Sequence, residues 1–222
     1  MRPTAVRRAA VVLAPAALAV ALSSALPSAA AKPEPPYRIV VGPVVKKKAP
    51  DAPPGTTLAR TNIKGLGIVI EYADARRRGE YLKTLVPAVS DPFATPPGRP
   101  EGALTFVVTF DNQSPRDAVF QPGNVAILTD RGDRDFPLDL TDLYLSAERA
   151  GVEDLQRVVD RATTILFDSS TSIPSGASKS RLLAFRPLEG KWKQFQVHFS
   201  FLQVGTETHS ASFTFRKEPL GN

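Results

Sequence analysis

The chain has 222 residues, no cysteine and two histidines, and its formal net charge at pH 7 is +6. The absence of cysteine excludes disulfides, thiolate metal sites, a cysteine nucleophile and a lipid anchor attached at cysteine. We therefore expect a fold that is stabilised by core packing alone, and the chain is long enough for one domain with a sizeable core.

The first 31 residues show the three parts of a secretory signal peptide in order. A positive start is followed by an uncharged apolar run over residues 9–22 and by the small residues Ala29–Ala31. The apolar run is shorter than the roughly 20 residues that span a membrane, so a cleavable signal is favoured over a membrane anchor. We predict cleavage after Ala31 and a periplasmic or secreted protein that has no membrane span after cleavage.

Cleavage at that point removes 31 of the 222 residues, leaving 191, and lowers the net charge from +6 to +3, because three arginines and no acid are lost. This weak charge is not typical of a dedicated nucleic-acid binder, so we expect no nucleic-acid partner. Residues 32–60 are predicted to be a tail or linker, because they are rich in proline and carry Lys46–Lys48. Within this segment, Tyr37–Val41 is apolar enough to form an edge strand.

Residues 61–222 are predicted to be a β-sandwich domain, because apolar and polar residues alternate with the period of a half-buried strand. The longest alternating segments are 66–72, 104–110, 195–201 and 211–215, and shorter strands are expected at 125–128, 164–167 and 181–185. In 195–201 the pattern directs Phe195, Val197, Phe199 and Phe201 towards the core. Strands with one apolar and one polar face indicate an antiparallel sandwich.

A helical insertion is predicted around residues 139–162. Leu140, Leu143, Tyr144 and Ala147 have the i, i+3, i+4, i+7 spacing of one helix face. A second segment in which apolar residues have helical spacing follows Gly151. The mainly β fold is therefore expected to carry helices between two of its strands.

The order of these signals resembles a known family. A strand over 104–110 is followed by Asn112 and Ser114, a return strand at 119–120, and later by the turn Ile173–Gly176 leading into a strand over 182–185. This order is similar to the telokin-like, immunoglobulin-like domains of exported bacterial proteins of unknown function, over roughly residues 103–216. The resemblance implies an immunoglobulin-like antiparallel β-sandwich of about seven strands and implies no reaction.

The two histidines are the candidates for a catalytic base or a metal site. His198 and His209 are both expected on polar strand faces and, with a turn near Gly205, become neighbours in a hairpin. Such a pair, with Glu207, is a candidate for weak divalent-metal binding. A surface pair without a function is the favoured interpretation.

Two charged segments and one aromatic residue are further candidates. Asp130, Asp133 and Asp135 surround Gly132, but interleaved arginines favour a charged hairpin tip over a calcium loop. Arg76, Arg77 and Arg78 form the densest basic patch of the domain and either dock an acidic partner or lie in a solvated turn. Trp192 either packs at the end of the sandwich or stands, partly exposed, in a binding surface.

No nucleophile elbow or phosphate-binding glycine loop occurs in the sequence. We therefore expect a non-catalytic module that binds another protein or a cell-envelope component, and we expect no cofactor. The alternatives are a carrier of a small ligand or metal, and a hydrolase that uses His198, His209 or acids of the 130–135 turn.

Overall fold

The structure is a computed structural model that describes residues 36–42, 55–85, 91–94, 102–149 and 154–220. The predicted signal peptide and much of the predicted linker, including Lys46–Lys48, lie outside these ranges. Within them the fold is mainly β, with two antiparallel sheets and a few short helices. No helix of these ranges is long and apolar enough to cross a membrane.

One sheet has four strands and the other has seven. The four-stranded sheet has the order β2-β3-β4-β9, formed by β2 (Leu58–Ile63), β3 (Leu66–Tyr72), β4 (Leu104–Asn112) and β9 (Ser178–Phe185). The seven-stranded sheet contains β1 (Tyr37–Val41), β5 (Ala118–Phe120), β6 (Val125–Thr129), β7 (Arg134–Asp135), β8 (Thr171–Ile173), β10 (Gln194–Val204) and β11 (Glu207–Pro219). β10 lies at its centre, because it pairs with β11 on one side and with β5 and β6 on the other.

A layer of phenylalanine rings fills the space between the two sheets. Neighbouring rings lie with their centroids 4.7–6.3 Å apart, mostly edge to face, and the members are Phe106, Phe110, Phe120, Phe167, Phe185, Phe195, Phe199, Phe213 and Phe215. These rings belong to the larger of two buried apolar clusters. Burying each such side chain contributes about 1.5–3 kcal/mol to folding, so this layer is the main stabilising feature of a chain that has no disulfide.

The remaining regular structure of the described residues is a short 3₁₀ helix at Pro122–Asn124 and three α-helices: α1 (Ala75–Leu85), α2 (Leu140–Arg149) and α3 (Leu155–Ile165). Together with Phe93, the three α-helices bury a second apolar cluster against Val107, Leu182 and Ala184 of the four-stranded sheet. The prediction of a polar outer face on β4 is therefore wrong near the start of the strand, where Thr105 is fully buried and donates a hydrogen bond to the carbonyl oxygen of Ala73.

Helices α2 and α3 occupy the segment where the helical insertion was predicted. The short strand expected at residues 164–167 is wrong, because α3 continues to Ile165 and only Leu166 forms an isolated bridge, to Leu182. Helix α1 was missed, although its spacing is helical: Arg78, Tyr81 and Leu82 are its buried residues. Burial raises the pKa of the Tyr81 hydroxyl above its usual value.

The Asn112–Ser114 turn has a structural role at one end of the sandwich. The fully buried Asn112 side chain donates to the carbonyl oxygens of Arg116 and Ile173, both at 2.8 Å, and its Oδ1 accepts from the Ser114 hydroxyl at 2.6 Å. Gly65, at φ 91°, packs so closely that an added Cβ would lie 3.0 Å from the Ser114 backbone. Asn112 thus ties the turn that follows β4 to the end of β8.

Candidate functional site

A β-bulge interrupts the central strand β10. Phe199 pairs with Ala211, and the next pair is Leu202 with His209, so Ser200 and Phe201 together face only Ser210. A bulge of this kind inserts one residue and shifts the alternation of side chains by one position. Leu202 consequently takes the buried position, and Phe201 is 67% exposed. The prediction that Phe201 points into the core is therefore wrong.

The backbone at Phe201 is strained as well as bulged. Its φ is +53°, a left-handed value that costs a residue with a Cβ about 1–2 kcal/mol. Little of this cost is offset by burial, because most of the ring faces solvent. Glycine or asparagine accommodates such a position with less strain. Strained residues and bulges cluster at binding and catalytic sites, so Phe201 marks a candidate site.

Phe201 lies in an open groove, called here the Phe201 groove, with a volume of about 630 Å³. The groove lies where the β10–β11 hairpin passes the end of β2, and its described lining residues are Ile63, Ser200, Phe201, Thr208, His209 and Ser210. Of these, only His209 is titratable, and none carries a permanent charge. The groove therefore combines one exposed aromatic ring with a small aliphatic side chain and several neutral polar groups.

The hydroxyls of Ser200, Thr208 and Ser210 have no hydrogen-bond partner among the described residues, so they are free to bind a group from outside. His209 differs, because its Nε2 is shielded from solvent. This nitrogen lies 3.5 Å from Oε2 of Glu207 and makes no hydrogen bond within the part of the chain that the structure describes. The serine and threonine hydroxyls are thus the accessible polar groups of the groove.

A row of polar residues without a permanent charge continues from the groove along the solvent side of β10 and β11. This row, called here the polar row, consists of Gln196, His198, Ser200, Thr208, Ser210 and Ser212. Within it, Nδ1 of His198 lies 2.7 Å from Oγ of Ser212, its direct cross-strand partner. A histidine within hydrogen-bond reach of a serine is also the arrangement of a base and a nucleophile.

The structure does not make His198 and His209 cross-strand neighbours. His198 pairs with Ser212, and His209 pairs with Leu202 beyond the bulge. His209 also lies on the same face of β11 as the buried residues Ala211 and Phe213. The prediction that His209 lies on the polar face of its strand is therefore wrong. Among the described residues, no group of three or more histidine and acidic side chains is placed to hold a metal ion.

The three arginines of the basic patch have separate roles in helix α1. Arg76 pairs with Glu80 on the surface, whereas Arg77 forms two hydrogen bonds with Glu71, at 2.8 and 2.9 Å. The hydrogen bonds to Glu71 raise the pKa of Arg77. The side chain of Arg78 is only 1% exposed, so the residues do not form one basic patch in a solvated turn.

The buried Arg78 connects three parts of the fold. Its guanidinium donates to Oδ2 of Asp91 at 2.7 Å, to Oγ1 of Thr105 at 3.1 Å and to the carbonyl oxygen of Phe93 at 3.4 Å. These contacts join α1 to the 91–94 segment and to β4. Arg78 therefore stabilises the second apolar cluster rather than a docking surface.

Trp192 is only 4% exposed, so the expectation of a partly exposed indole in a binding surface is wrong. It precedes the first residue of β10, and strand alternation does not fix its direction. The ring packs edge to face on Tyr37 and Phe195, with centroids 5.9 and 5.2 Å away, and the Lys217 ammonium lies 4.2 Å from the centroid of the indole. Trp192 thus closes one end of the sandwich.

The acids of the 130–135 turn make contacts that hold loops in place. Asp130 accepts hydrogen bonds from the Lys193 backbone, Asp133 from the Thr129 hydroxyl, and Asp135 pairs with Arg186. Separate partners for each carboxylate favour the charged hairpin tip over a cation loop.

Comparison with known proteins found no family model and no curated protein that matches the chain. Among solved structures, the crystal structure of the yjhA protein from Bacillus subtilis is similar, with a TM-score of 0.38 and 10% sequence identity. The alignment covers 69% of this chain and 93% of that chain. A similarity at this level carries no conclusion about function.

The contrast between Arg78 and Arg76 is testable by denaturation. Arg78→Ala leaves Asp91 and Thr105 without their buried partner, so we expect a loss of about 3 kcal/mol in the free energy of unfolding. Arg76→Ala removes a solvent-exposed pair and should change it by less than about 0.5 kcal/mol. Equal effects of the two substitutions in urea titrations would contradict the assignment of Arg78 to the core.

The strain at Phe201 predicts an unusual response to glycine. Phe201→Gly relieves the left-handed backbone, and glycine's greater loss of conformational entropy offsets part of this gain, so we expect stability to stay equal or rise by about 1 kcal/mol. Phe199→Ala, two positions away, removes a ring of the buried layer and should cost about 3–5 kcal/mol. A destabilisation by Phe201→Gly similar to that of Phe199→Ala, in the same urea titration, would show that Phe201 belongs to the core.

Proposed function

We propose that the protein is an exported, non-catalytic, immunoglobulin-like module that binds a macromolecule of the cell envelope through the Phe201 groove. Export rests on the signal-like residues 1–31, and cleavage there gives a periplasmic or secreted product. The immunoglobulin-like assignment is supported by the two antiparallel sheets and by the Asn112–Ser114 turn of the resemblance. The described helices on the four-stranded sheet are additions to such a sandwich.

The observation that carries this proposal is the exposed ring of Phe201 on a strained, bulged backbone. The bulge buries Leu202 and Val204, but the Phe201 side chain itself gains little from folding, because its ring stays mostly exposed and its backbone costs energy. A binding role explains it, since an aromatic side chain supplies a large contact area and loses little conformational entropy on binding. The flanking hydroxyls supply hydrogen bonds that orient a ligand.

A hydrolase is the second candidate, and the His198–Ser212 contact favours it. A serine nucleophile also needs donors for the oxyanion and a group that orients the histidine. Ser212 lies exposed in the polar row, outside the described lining of the Phe201 groove. Binding therefore accounts for more of the observed geometry than catalysis does.

The proposal is tested by binding of the purified protein to the envelope fraction of the source organism in moderate salt. The wild-type protein should sediment with the fraction. Phe201→Ala should abolish this sedimentation, because the exposed aromatic ring of the groove is removed. Phe136→Ala is the matched control, since Phe136 is also an exposed phenylalanine, at 45%, and lies outside the described lining of the groove. Equal sedimentation of Phe201→Ala and wild type, or none by wild type, would contradict the proposal.

A further inference from the structure

We infer that the ligand of the Phe201 groove is a neutral polysaccharide, an inference that rests on the proposed binding function. A sugar ring presents an apolar face of C–H groups and a rim of hydroxyls. Its recognition therefore needs an exposed aromatic face for stacking, together with uncharged hydrogen-bonding groups beside that face. Phe201 supplies the first, and Ser200, Thr208 and Ser210 supply the second.

The charges of the groove favour a neutral ligand. No described residue that lines it is an arginine, a lysine or an acid. The carboxylate of Glu207 lies beside His209 and is half exposed, so it would repel a polyanion. An anionic polymer or lipid headgroup would require cations at this point, since affinity for polyanions comes mainly from lysine and arginine contacts.

The geometry of the polar row favours a chain of sugars over a single one. Gln196 and Ser200 are four residues apart on β10, which corresponds to roughly 13 Å at a rise of about 3.3 Å per residue. This length exceeds one sugar ring, and uncharged polar side chains accompany it on the neighbouring strand at Ser210 and Ser212. A linear polysaccharide can thus contact Phe201 with one unit and the polar row with the next.

The strained backbone is consistent with a rigid stacking platform. The φ of Phe201 is fixed by paired residues on both sides of the bulge, Phe199 with Ala211 and Leu202 with His209. A platform that is already ordered loses little entropy when a ligand stacks on it. The free energy needed to order Phe201 is therefore spent when the protein folds, so it does not reduce the affinity for the ligand.

The first experiment measures retention of the purified protein on three insoluble neutral polysaccharides: chitin, cellulose and starch. We expect retention on at least one, insensitive to 0.5 M salt because no fixed charge contacts the ligand (about 4 Å screening length). Soluble tetramers of that sugar should bind more tightly than the monomer in calorimetry. Retention on none of the three, or equal affinity for tetramer and monomer, would overturn the inference.

Substitutions identify the site. Phe201→Ala should lower the affinity for the retained polysaccharide by roughly tenfold or more, because the stacking surface is lost. The double substitution Ser200→Ala with Ser210→Ala should weaken binding and leave the urea midpoint unchanged, since both residues are outside the core. Phe136→Ala should bind as wild type does. Full affinity in Phe201→Ala, with a native circular dichroism spectrum, would overturn the inference.

Treatment of the envelope fraction separates this inference from the proposed function. Phe201-dependent sedimentation that is lost after periodate oxidation of sugars and survives protease digestion supports a polysaccharide ligand. Sedimentation that depends on Phe201 but is lost only after protease digestion identifies a protein partner, which overturns the inference and leaves the proposed function standing. Absence of Phe201-dependent sedimentation contradicts both.

Discussion

The phenylalanine layer between the two sheets is the constraint on which the rest of the structure depends. With no cysteine in the chain, the folded state relies on apolar burial, and β10 contributes Phe195 and Phe199 to this layer. Every strand that touches the layer must keep its apolar side chains inward. On β10 this requirement cannot be met for every apolar residue. Phe201 and Leu202 are adjacent, and in a regular strand only one of them can face the core.

The bulge at Ser200–Phe201 resolves that conflict in favour of Leu202. One extra residue shifts the alternation, so Leu202 and Val204 are buried at the end of β10, and Phe201 is left outside. The same shift changes the cross-strand partner of His209, which pairs with Leu202 and lines the groove. A single backbone irregularity therefore creates the exposed ring and the groove around it.

Much of the fold follows from local patterns in the sequence. Strand β3 has the predicted bounds, and the helical spacing at Leu140 and Leu143 marks α2 correctly. The patterns fail where tertiary contacts decide. Thr105 looks like a solvent-facing residue in an alternating strand, but helix packing buries it. The side chain of Arg78 is buried because Asp91, 13 residues further on and beyond the end of α1, neutralises its charge.

The candidate site was less predictable than the fold. Alternation at Phe195, Val197 and Phe199 extends without a break to Phe201, and nothing in that pattern signals a bulge. The available clue was the adjacency of Phe201 and Leu202 followed by Val204, because a regular strand would expose both Leu202 and Val204. For α1, the signal was Asp74, whose carboxylate accepts a hydrogen bond from the Arg77 backbone N–H as a helix N-cap.

The outward position of Phe201 is the central claim of this account, and hydroxyl-radical footprinting of the folded protein tests it most directly. Phe199 and Phe201 lie in one strand, and tandem mass spectrometry of a single peptide from β10 reports the oxidation of each ring separately. The account predicts oxidation at Phe201 and protection of Phe199. Equal protection of the two rings, or preferential oxidation of Phe199, would contradict it.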